Sequence, residues 1–316
     1  MIAPKIEVDS FWLPRQSSTL APSIDHAWSL VLWISVGFFT LIVGAMIYFL
    51  IRYRRRTAHD VTSEVSHSTK LEITWTAIPL VIVIGLAFVG LTGYVSAAVA
   101  PAEAYEIQVT AQKWSWQFTY PNGTISPNKL VIPRGRPVKL VMSSRDIVHS
   151  LFIPEFRIKQ DVVPGAYTTI WFEGTDVKET AILCTEYCGA GHSDMMATVS
   201  VMEQRAFDAW LESGGEDKSL PPAEYGKQLF SSWNCGTCHS LDGSAKQGPS
   251  LEGIFGRNES LADGSTVKVD ETYLRDSILI SNKQVVAGFQ PVMPVFQGQL
   301  KDRQVDALIA FLKEQK

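Results

Sequence analysis

Two long stretches near the start of this 316-residue chain carry no charged residue. The first runs from Ala27 to Ile51 and the second from Ile73 to Ala102. About 20 apolar residues, rising ~1.5 Å each in a helix, cross the hydrocarbon core of a bilayer. The pattern therefore predicts a two-helix transmembrane hairpin, with helices at about 27–51 and 73–99, in an anchor that covers residues 1–100.

The loop between these stretches is basic, because four of the five residues at 52–56 are arginine. Short loops rich in Lys and Arg stay in the cytoplasm. We therefore expect an integral protein of the bacterial cytoplasmic membrane, with both termini and all residues after 100 on the periplasmic side. The alternative is a cleaved signal peptide, but the first stretch starts too late and Pro101 would hinder cleavage after the second.

Beyond Pro101 the apolar residues recur at every second position, in Ile107, Val109 and Ala111 and again from Trp114 to Tyr120. This period is typical of half-buried strands. Further short strands are predicted at 129–132, 138–142, 168–172, 181–184 and 197–202. Many short strands between Gly and Pro turns predict an all-β sandwich or Greek-key barrel over residues 101–205.

A third region follows residues 206–222, which hold a Gly-Gly and a Pro-Pro pair and predict a short helix end and a linker. In residues 223–316, the segments Glu224–Ser232 and Asp302–Lys313 have apolar residues at helical spacing. We expect the second of these helices to pack against the first.

Composition narrows the functions that remain open. The formal net charge is −4, which does not favour binding to nucleic acid, and the sequence has no P-loop or Rossmann glycine motif. The four cysteines form two close pairs, each with a histidine just downstream. That arrangement favours metal or haem binding over disulfides.

The first cysteine pair lies in a cluster of soft ligands. Cys184, Cys188, His192 and Met195 lie within twelve positions, and His149 lies upstream, just after a predicted strand. Thiolates, thioethers and imidazoles together select copper, and two thiolates can bridge two copper ions. A disulfide, a zinc site and a thiol-redox copper chaperone are the alternatives, although methionine is an unusual zinc ligand.

The second pair forms the haem c attachment signature Cys235-Gly-Thr-Cys238-His239. Each thiol of such a motif forms a thioether to the porphyrin, and the histidine binds iron. The sixth iron ligand is commonly Met or His. Met293 is the only methionine after the motif and lies between two prolines at 291 and 294, so we expect it to complete the coordination.

Residues 143–150 and 184–195 resemble cytochrome c oxidase subunit II, as do 75–79 in the second apolar stretch and 112–116. Residues 248–257 resemble the loop that follows the haem motif in small cytochromes c. The whole chain is similar to the fused subunit II of caa3-type haem–copper oxidases. The resemblance implies a cupredoxin-like domain followed by a class I cytochrome c domain.

The resemblance also implies roles for individual residues. The side chains of five residues would ligate a dinuclear copper centre, CuA: His149, Cys184, Cys188, His192 and Met195. Glu186 would add its backbone carbonyl, while its side chain would reach a shared Mg or Mn ion at the boundary with subunit I. The family spacing selects Met195 over the adjacent Met196.

Three further assignments come from the same resemblance. Trp114 matches the residue through which electrons enter from a docked cytochrome, with core packing of Trp114 and Trp116 as the alternative. Glu72 matches a carboxylate at the mouth of a proton pathway, with an ordinary helix-start residue as the alternative. The carbonyl of Pro249 would accept a hydrogen bond from the haem histidine.

Neither apolar stretch contains a histidine, so the chain does not hold the haems and third copper at which oxygen is reduced. The resemblance implies a subunit of an oxidoreductase that carries electrons from a donor, such as cytochrome c or another respiratory complex, to subunit I. Subunit I would reduce O2 to water and pump protons, and subunit III and membrane lipid are further expected partners. The alternatives are a subunit of a CuA-containing nitric oxide reductase and a free-standing membrane electron carrier.

Overall fold

The computed structural model describes residues 6–61, 64–216 and 219–315. The chain divides into two compact units. One unit covers Leu20–Ala100, and the other contains the residues before and after it. Each unit is described by itself below.

The first unit consists of helices α1 (Ala21–Arg52) and α2 (Thr69–Ala98). Among the described residues these are the helices long and apolar enough to cross a membrane, with mean hydropathies of 2.4 and 2.3 over windows that are 0 % buried. Both begin earlier than predicted, α1 six residues before Ala27 and α2 four residues before Ile73. The prediction counted only uncharged positions, whereas helical hydrogen bonds continue through polar residues at the ends.

The second unit begins with a β domain (residues 101–205). Its strands are β1 (Tyr105–Gln112), β2 (Ser115–Thr119), β3 (Ile125–Pro127), β4 (Lys129–Pro133), β5 (Val138–Ser144), β6 (His149–Ile153), β7 (Ile158–Val162), β8 (Thr168–Phe172), β9 (Glu179–Cys184) and β10 (Met196–Met202). In the described chain they form two five-stranded sheets, β3-β2-β1-β5-β8 and β4-β10-β9-β6-β7. The pairs β1–β5 and β4–β10 are parallel. The domain is cupredoxin-like.

The predicted alternation holds along β1, where Ile107, Val109 and Ala111 are at most 2 % exposed. It fails at Trp114. Gln112 pairs with Ser115, so Lys113 and Trp114 form the two-residue connection of a hairpin and Trp114 is not a strand residue. The sequence pattern did not reveal this turn, because the apolar residues on both sides of it continue to alternate with period two.

Two other boundaries differ from those predicted. His149 is the first residue of β6, a strand that the sequence pattern did not separate from the preceding turn. Helix α3 (Gln204–Glu212) ends inside the segment 206–222, where a short helix end was expected before the linker, but it begins two residues before that segment. Phe207 is 1 % exposed, and its ring contacts the rings of Tyr105 and Tyr120, so α3 packs on the β domain.

Residues 7–19 also pack on the β domain, around the fully buried carboxylate of Glu155. The Ser17 hydroxyl donates to Glu155 Oε2 at 2.8 Å, the Glu7 amide donates to Oε1 at 3.0 Å, and Lys178 Nζ lies 2.6 Å from Oε2. Burial alone would raise the pKa of Glu155, but these bonds outweigh it and the pKa is lowered. The hydrogen bonds from Ser17 and Glu7 to Glu155, with the ion pair between Lys178 and Glu7 at 2.9 Å, therefore hold the N-terminal segment against the domain.

The described part of the C-terminal domain, residues 222–315, consists of four helices and a short hairpin joined by loops. Its elements are α4 (Pro222–Ser232), α5 (Cys235–Cys238), β11 (Asn258–Ser260), β12 (Thr266–Lys268), α6 (Glu271–Leu279) and α7 (Asp302–Lys313). Helix α7 packs on α4, as predicted. They meet at Gly226, where a Cβ atom would lie 1.9 Å from the Ala307 carbonyl oxygen. Only glycine permits this approach of two backbones.

Candidate metal centres

The β domain brings its soft ligands together where three elements meet. His149 begins β6 and Cys184 ends β9. The chain then turns back so that the Cys184 amide donates to the Met195 carbonyl at 3.2 Å. This return folds the intervening loop, with Cys188 and His192, over the ends of the strands.

The potential donor atoms are close to one another. The two sulfur atoms, Cys184 Sγ and Cys188 Sγ, are 3.9 Å apart. His149 Nδ1 lies 3.9 Å from Cys184 Sγ, and His192 Nδ1 lies 3.5 Å from Cys188 Sγ. Met195 Sδ is 3.8 Å from Cys188 Sγ. Among the described residues all four cysteines of the chain are free thiols, so this is not a disulfide.

The two neighbouring residues named from the sequence occupy different positions. The Glu186 carbonyl oxygen lies 3.3 Å from Cys184 Sγ, while the Glu186 side chain is exposed. Met195 is fully buried beside Cys188, whereas Met196 is half-buried and begins β10. The cluster therefore includes Met195, the methionine that the family spacing selects.

Asp146 is a site residue that the sequence reasoning missed. Its carboxylate accepts hydrogen bonds from His149 Nε2 at 2.8 Å and from the Lys113 amide at 2.7 Å. The Asp–His bond fixes the imidazole with Nδ1 towards Cys184. Burial raises the pKa of Asp146, but these bonds lower it overall to about 2, and burial lowers the pKa of His149 while the Asp146 bond raises it above its usual value. The sequence feature that could have identified Asp146 is its position three residues before the predicted ligand His149.

The two thiols differ in acidity. Burial raises the pKa of Cys184, but hydrogen bonds from His149 and from the Ser150 amide outweigh it, and the pKa is lowered. Burial and the neighbouring Cys184 charge raise the pKa of Cys188. The protein alone thus favours the thiolate form of Cys184 and the neutral form of Cys188, whose thiolate a bound cation would stabilise. A set of two sulfur anions, two imidazoles and a thioether fits copper in this way.

The C-terminal domain contains a cavity of 710 Å³ lined by Cys235, Cys238, His239 and Met293. His239 Nδ1 donates to the Pro249 carbonyl at 2.8 Å. Burial lowers the pKa of His239, which favours the neutral imidazole with Nε2 free to bind iron. A Cβ at Gly248 would lie 2.7 Å from His239 Cε1, so the glycine is needed for this ring position. The thiols, imidazole, thioether and cavity fit a covalent haem.

Trp114 lies between the copper ligands and this cavity. Its indole Nε1 donates to the Cys188 carbonyl at 3.2 Å. The ring packs so closely on the loop that a Cβ at Gly191 would lie 2.5 Å from Trp114 Cδ2. Trp114 also lines the cavity, together with Asp146 and Gly189 of the β domain. Trp116, by contrast, is fully buried in the core.

Glu72 belongs to the other unit, in the first turn of α2. Its carboxylate oxygen lies 2.8 Å from His67 Nδ1. This position suits a residue favoured by the helix dipole and leaves the expected proton-pathway role as a prediction.

Comparison with known proteins supports both candidate centres. Three family models match in succession: the transmembrane domain of cytochrome c oxidase subunit II over residues 7–92, its periplasmic domain over 124–202, and cytochrome c over 223–316. Models of these two soluble domains imply copper and haem c as the cofactors.

Whole proteins agree with the domain models. The cytochrome c oxidase subunit 2 of Alkalihalophilus pseudofirmus is 30 % identical, with 91 % of this chain and 86 % of that protein covered. The protein of that name from Thermostichus vulcanus is 32 % identical over 64 % of this chain and 80 % of its own length. This chain therefore belongs to the cytochrome c oxidase subunit II family, as a membrane-anchored form that carries a fused C-terminal cytochrome c domain.

Proposed function

We propose that this chain accepts electrons from a donor at a covalent haem c and passes them through a dinuclear CuA centre to subunit I of a terminal oxidase. Subunit I uses four electrons and four protons to reduce O2 to two molecules of water, and it pumps further protons. The donor is a cytochrome c or a neighbouring respiratory complex. The bound metals supply the one-electron redox chemistry, and the chain supplies ligands, burial and orientation.

The observation that carries this proposal is the ligand cluster of the β domain. Two thiols 3.9 Å apart, each with an imidazole nitrogen within 3.9 Å, provide one sulfur and one nitrogen donor for each of two ions. A mononuclear copper site needs only one of these cysteines. The buried Met195 and the Glu186 carbonyl lie beside the thiols as weaker donors. No acid or base is needed, because neither centre transfers a proton.

Trp114 is proposed to be the residue through which electrons reach the copper centre. It contacts the backbone of Cys188 and lines the same cavity as His239 and Met293. Electron transfer depends on distance and packing, and a single aromatic side chain in contact with both regions meets that need. The alternative role in the core applies to Trp116, which is fully buried.

Further parts of the proposal concern the partners. The Glu186 side chain would hold the shared Mg or Mn ion against subunit I, since it is exposed while its carbonyl faces Cys184. The adjacent Tyr187 is 75 % exposed, as expected for a face that meets another subunit. Glu72 would lie at the mouth of a proton pathway, and subunit III would complete the complex. The basic loop at 52–56 would place both soluble domains on the periplasmic side.

The test is a metal analysis and an optical and EPR spectrum of the purified complex. We expect two coppers and one haem c for each copy of this chain, with the mixed-valence signal of a copper pair. A Cys188→Ser variant should lose that signal and keep the haem. One copper or none in the wild-type centre would refute the proposal, and turnover with nitric oxide but not O2 would reassign the partner.

A further inference from the structure

Asn128 of the β domain and Asn234 of the C-terminal domain bridge the two domains with their side-chain amides. Asn128 Nδ2 donates to the Ser232 carbonyl at 2.7 Å, and Asn234 Nδ2 donates to the Trp114 carbonyl at 3.0 Å. Both asparagines are buried, at 8 % and 7 % exposure. Each domain thus provides one amide donor and one backbone acceptor.

Each asparagine is held firmly in its own domain. Asn128 has φ of 51° and Asn234 has φ of 54°, in the left-handed region that asparagine adopts more readily than most residues. Asn128 Oδ1 also accepts a hydrogen bond from the Trp116 backbone amide at 2.7 Å. The Asn128 backbone amide donates to the Trp116 carbonyl, also at 2.7 Å. Both amides therefore project from fixed backbone positions.

The second bridge lies beside the haem motif and contacts the residue that packs on the copper loop. Asn234 is the residue before the haem cysteine Cys235. Its acceptor is the carbonyl of Trp114, whose indole donates to the Cys188 carbonyl. A chain of two hydrogen bonds therefore joins the haem motif to the copper loop through a single residue.

We propose that Asn128 and Asn234 form an interdomain clamp that keeps the C-terminal domain docked on Trp114. The chain's own haem-binding domain then covers the surface through which electrons reach the copper loop. An external protein donor then reduces the C-terminal domain, which lies against Trp114. This consequence rests on the function proposed above, whereas the clamp itself is a property of the two contacts.

Without the two bridges, the covalent linker alone would not keep the domains docked. A short flexible linker provides an effective concentration in the millimolar range, so a tethered domain without specific contacts docks only transiently. A buried carbonyl that loses its hydrogen bond becomes costly, so each bridge favours the docked arrangement by roughly tenfold. Ile125 of the β domain adds apolar contact with the core of the C-terminal domain.

The clamp is tested by hydrogen exchange on the purified holo-complex. Asn128→Asp and Asn234→Asp replace the bridging donor with a carboxylate oxygen that repels the opposing carbonyl, while they keep the shape and the tolerance for positive φ. Asn128→Asp also keeps the oxygen that accepts from Trp116. Asn122→Asp is the control for the same change at an exposed site, because Asn122 Nδ2 donates to the Leu211 carbonyl of α3 and not to the C-terminal domain.

We expect at least tenfold faster exchange at residues 113–117 and 230–236 in each clamp variant and a larger increase in the double variant. Exchange in β10 and α7, the cores of the two domains, should not change, which shows that both domains remain folded. If the Asn234→Asp chain does not fold, the Asn128→Asp chain alone decides the result.

Unchanged exchange at both segments, or the same acceleration in Asn122→Asp, would overturn the clamp. This outcome is independent of the metal content. A wild-type complex that protects these segments but lacks the copper-pair signal would refute the proposed function and leave the clamp intact. A complex that shows the copper-pair signal but does not protect these segments would refute the clamp and leave the proposed function intact.

Discussion

Gly226→Ala tests how the C-terminal domain is assembled. Gly226 lies in α4 at its contact with α7, and an added Cβ would be 1.9 Å from the Ala307 carbonyl oxygen and 2.8 Å from Phe311 Cβ. Carbon and carbonyl oxygen normally approach to about 3.3 Å, so the helices must separate by roughly 1.4 Å at this point. The obstacle is backbone and cannot rotate away.

The cost follows from two opposing effects. Overpacking a core costs up to about 3 kcal/mol, and a rigid obstacle belongs at the upper end of that range. Replacing glycine by alanine inside a helix gains about 1 kcal/mol. The free energy of unfolding should therefore fall by about 2 kcal/mol, which lowers the melting temperature of a domain of this size by roughly 10 °C.

The assay is thermal unfolding of the purified chain, followed by the absorbance of its haem. Gly236→Ala is the matched control, since its added Cβ would meet only Phe230 Cε1 at 3.4 Å, an ordinary contact. If the two variants melt within about a degree of each other, the close approach of α4 and α7 does not limit stability and the reasoning is wrong.

Three other predictions concern the copper ligands and the N-terminal segment. Met195→Leu should alter the EPR signal of the copper pair and Met196→Leu should not, because only Met195 Sδ lies 3.8 Å from Cys188 Sγ; equal effects would contradict the assignment. Copper uptake by the metal-free chain should tighten as pH rises from 6 to 8, because the raised pKa of Cys188 means that binding must displace its proton; a pH-independent titration would count against this. The pKa of Glu155 is below its ordinary value of 4.5, so its stabilising contribution is complete above that pH and is lost as pH falls through the lowered pKa. Glu155→Gln should flatten the acid limb of the unfolding curve, and an unchanged slope would exclude this ion pair as its cause.

Local sequence determined much of this protein. The apolar stretches are long enough to predict α1 and α2, because helix length and hydrophobicity are local properties. Strands such as β8 (Thr168–Phe172) and the helix at 302–313 follow from their own periodicity. The ligand types and spacings of Cys184–Met195 and Cys235–His239 predicted copper and haem c, since the chemistry of soft donors does not depend on the fold.

Contacts between distant segments could not be predicted in this way. Trp114 is not a strand residue because it lies in the two-residue turn between β1 and β2. Its ring packs against Gly189 and Gly191, which belong to a loop that is distant in sequence. Asp146 gained its role through a hydrogen bond that depends on the turn between β5 and β6. The amide of Asn234 finds its acceptor 120 residues away in the chain. Periodicity and spacing report what a segment forms, whereas tertiary packing decides which segments meet, because that depends on the closure of long loops and on shape.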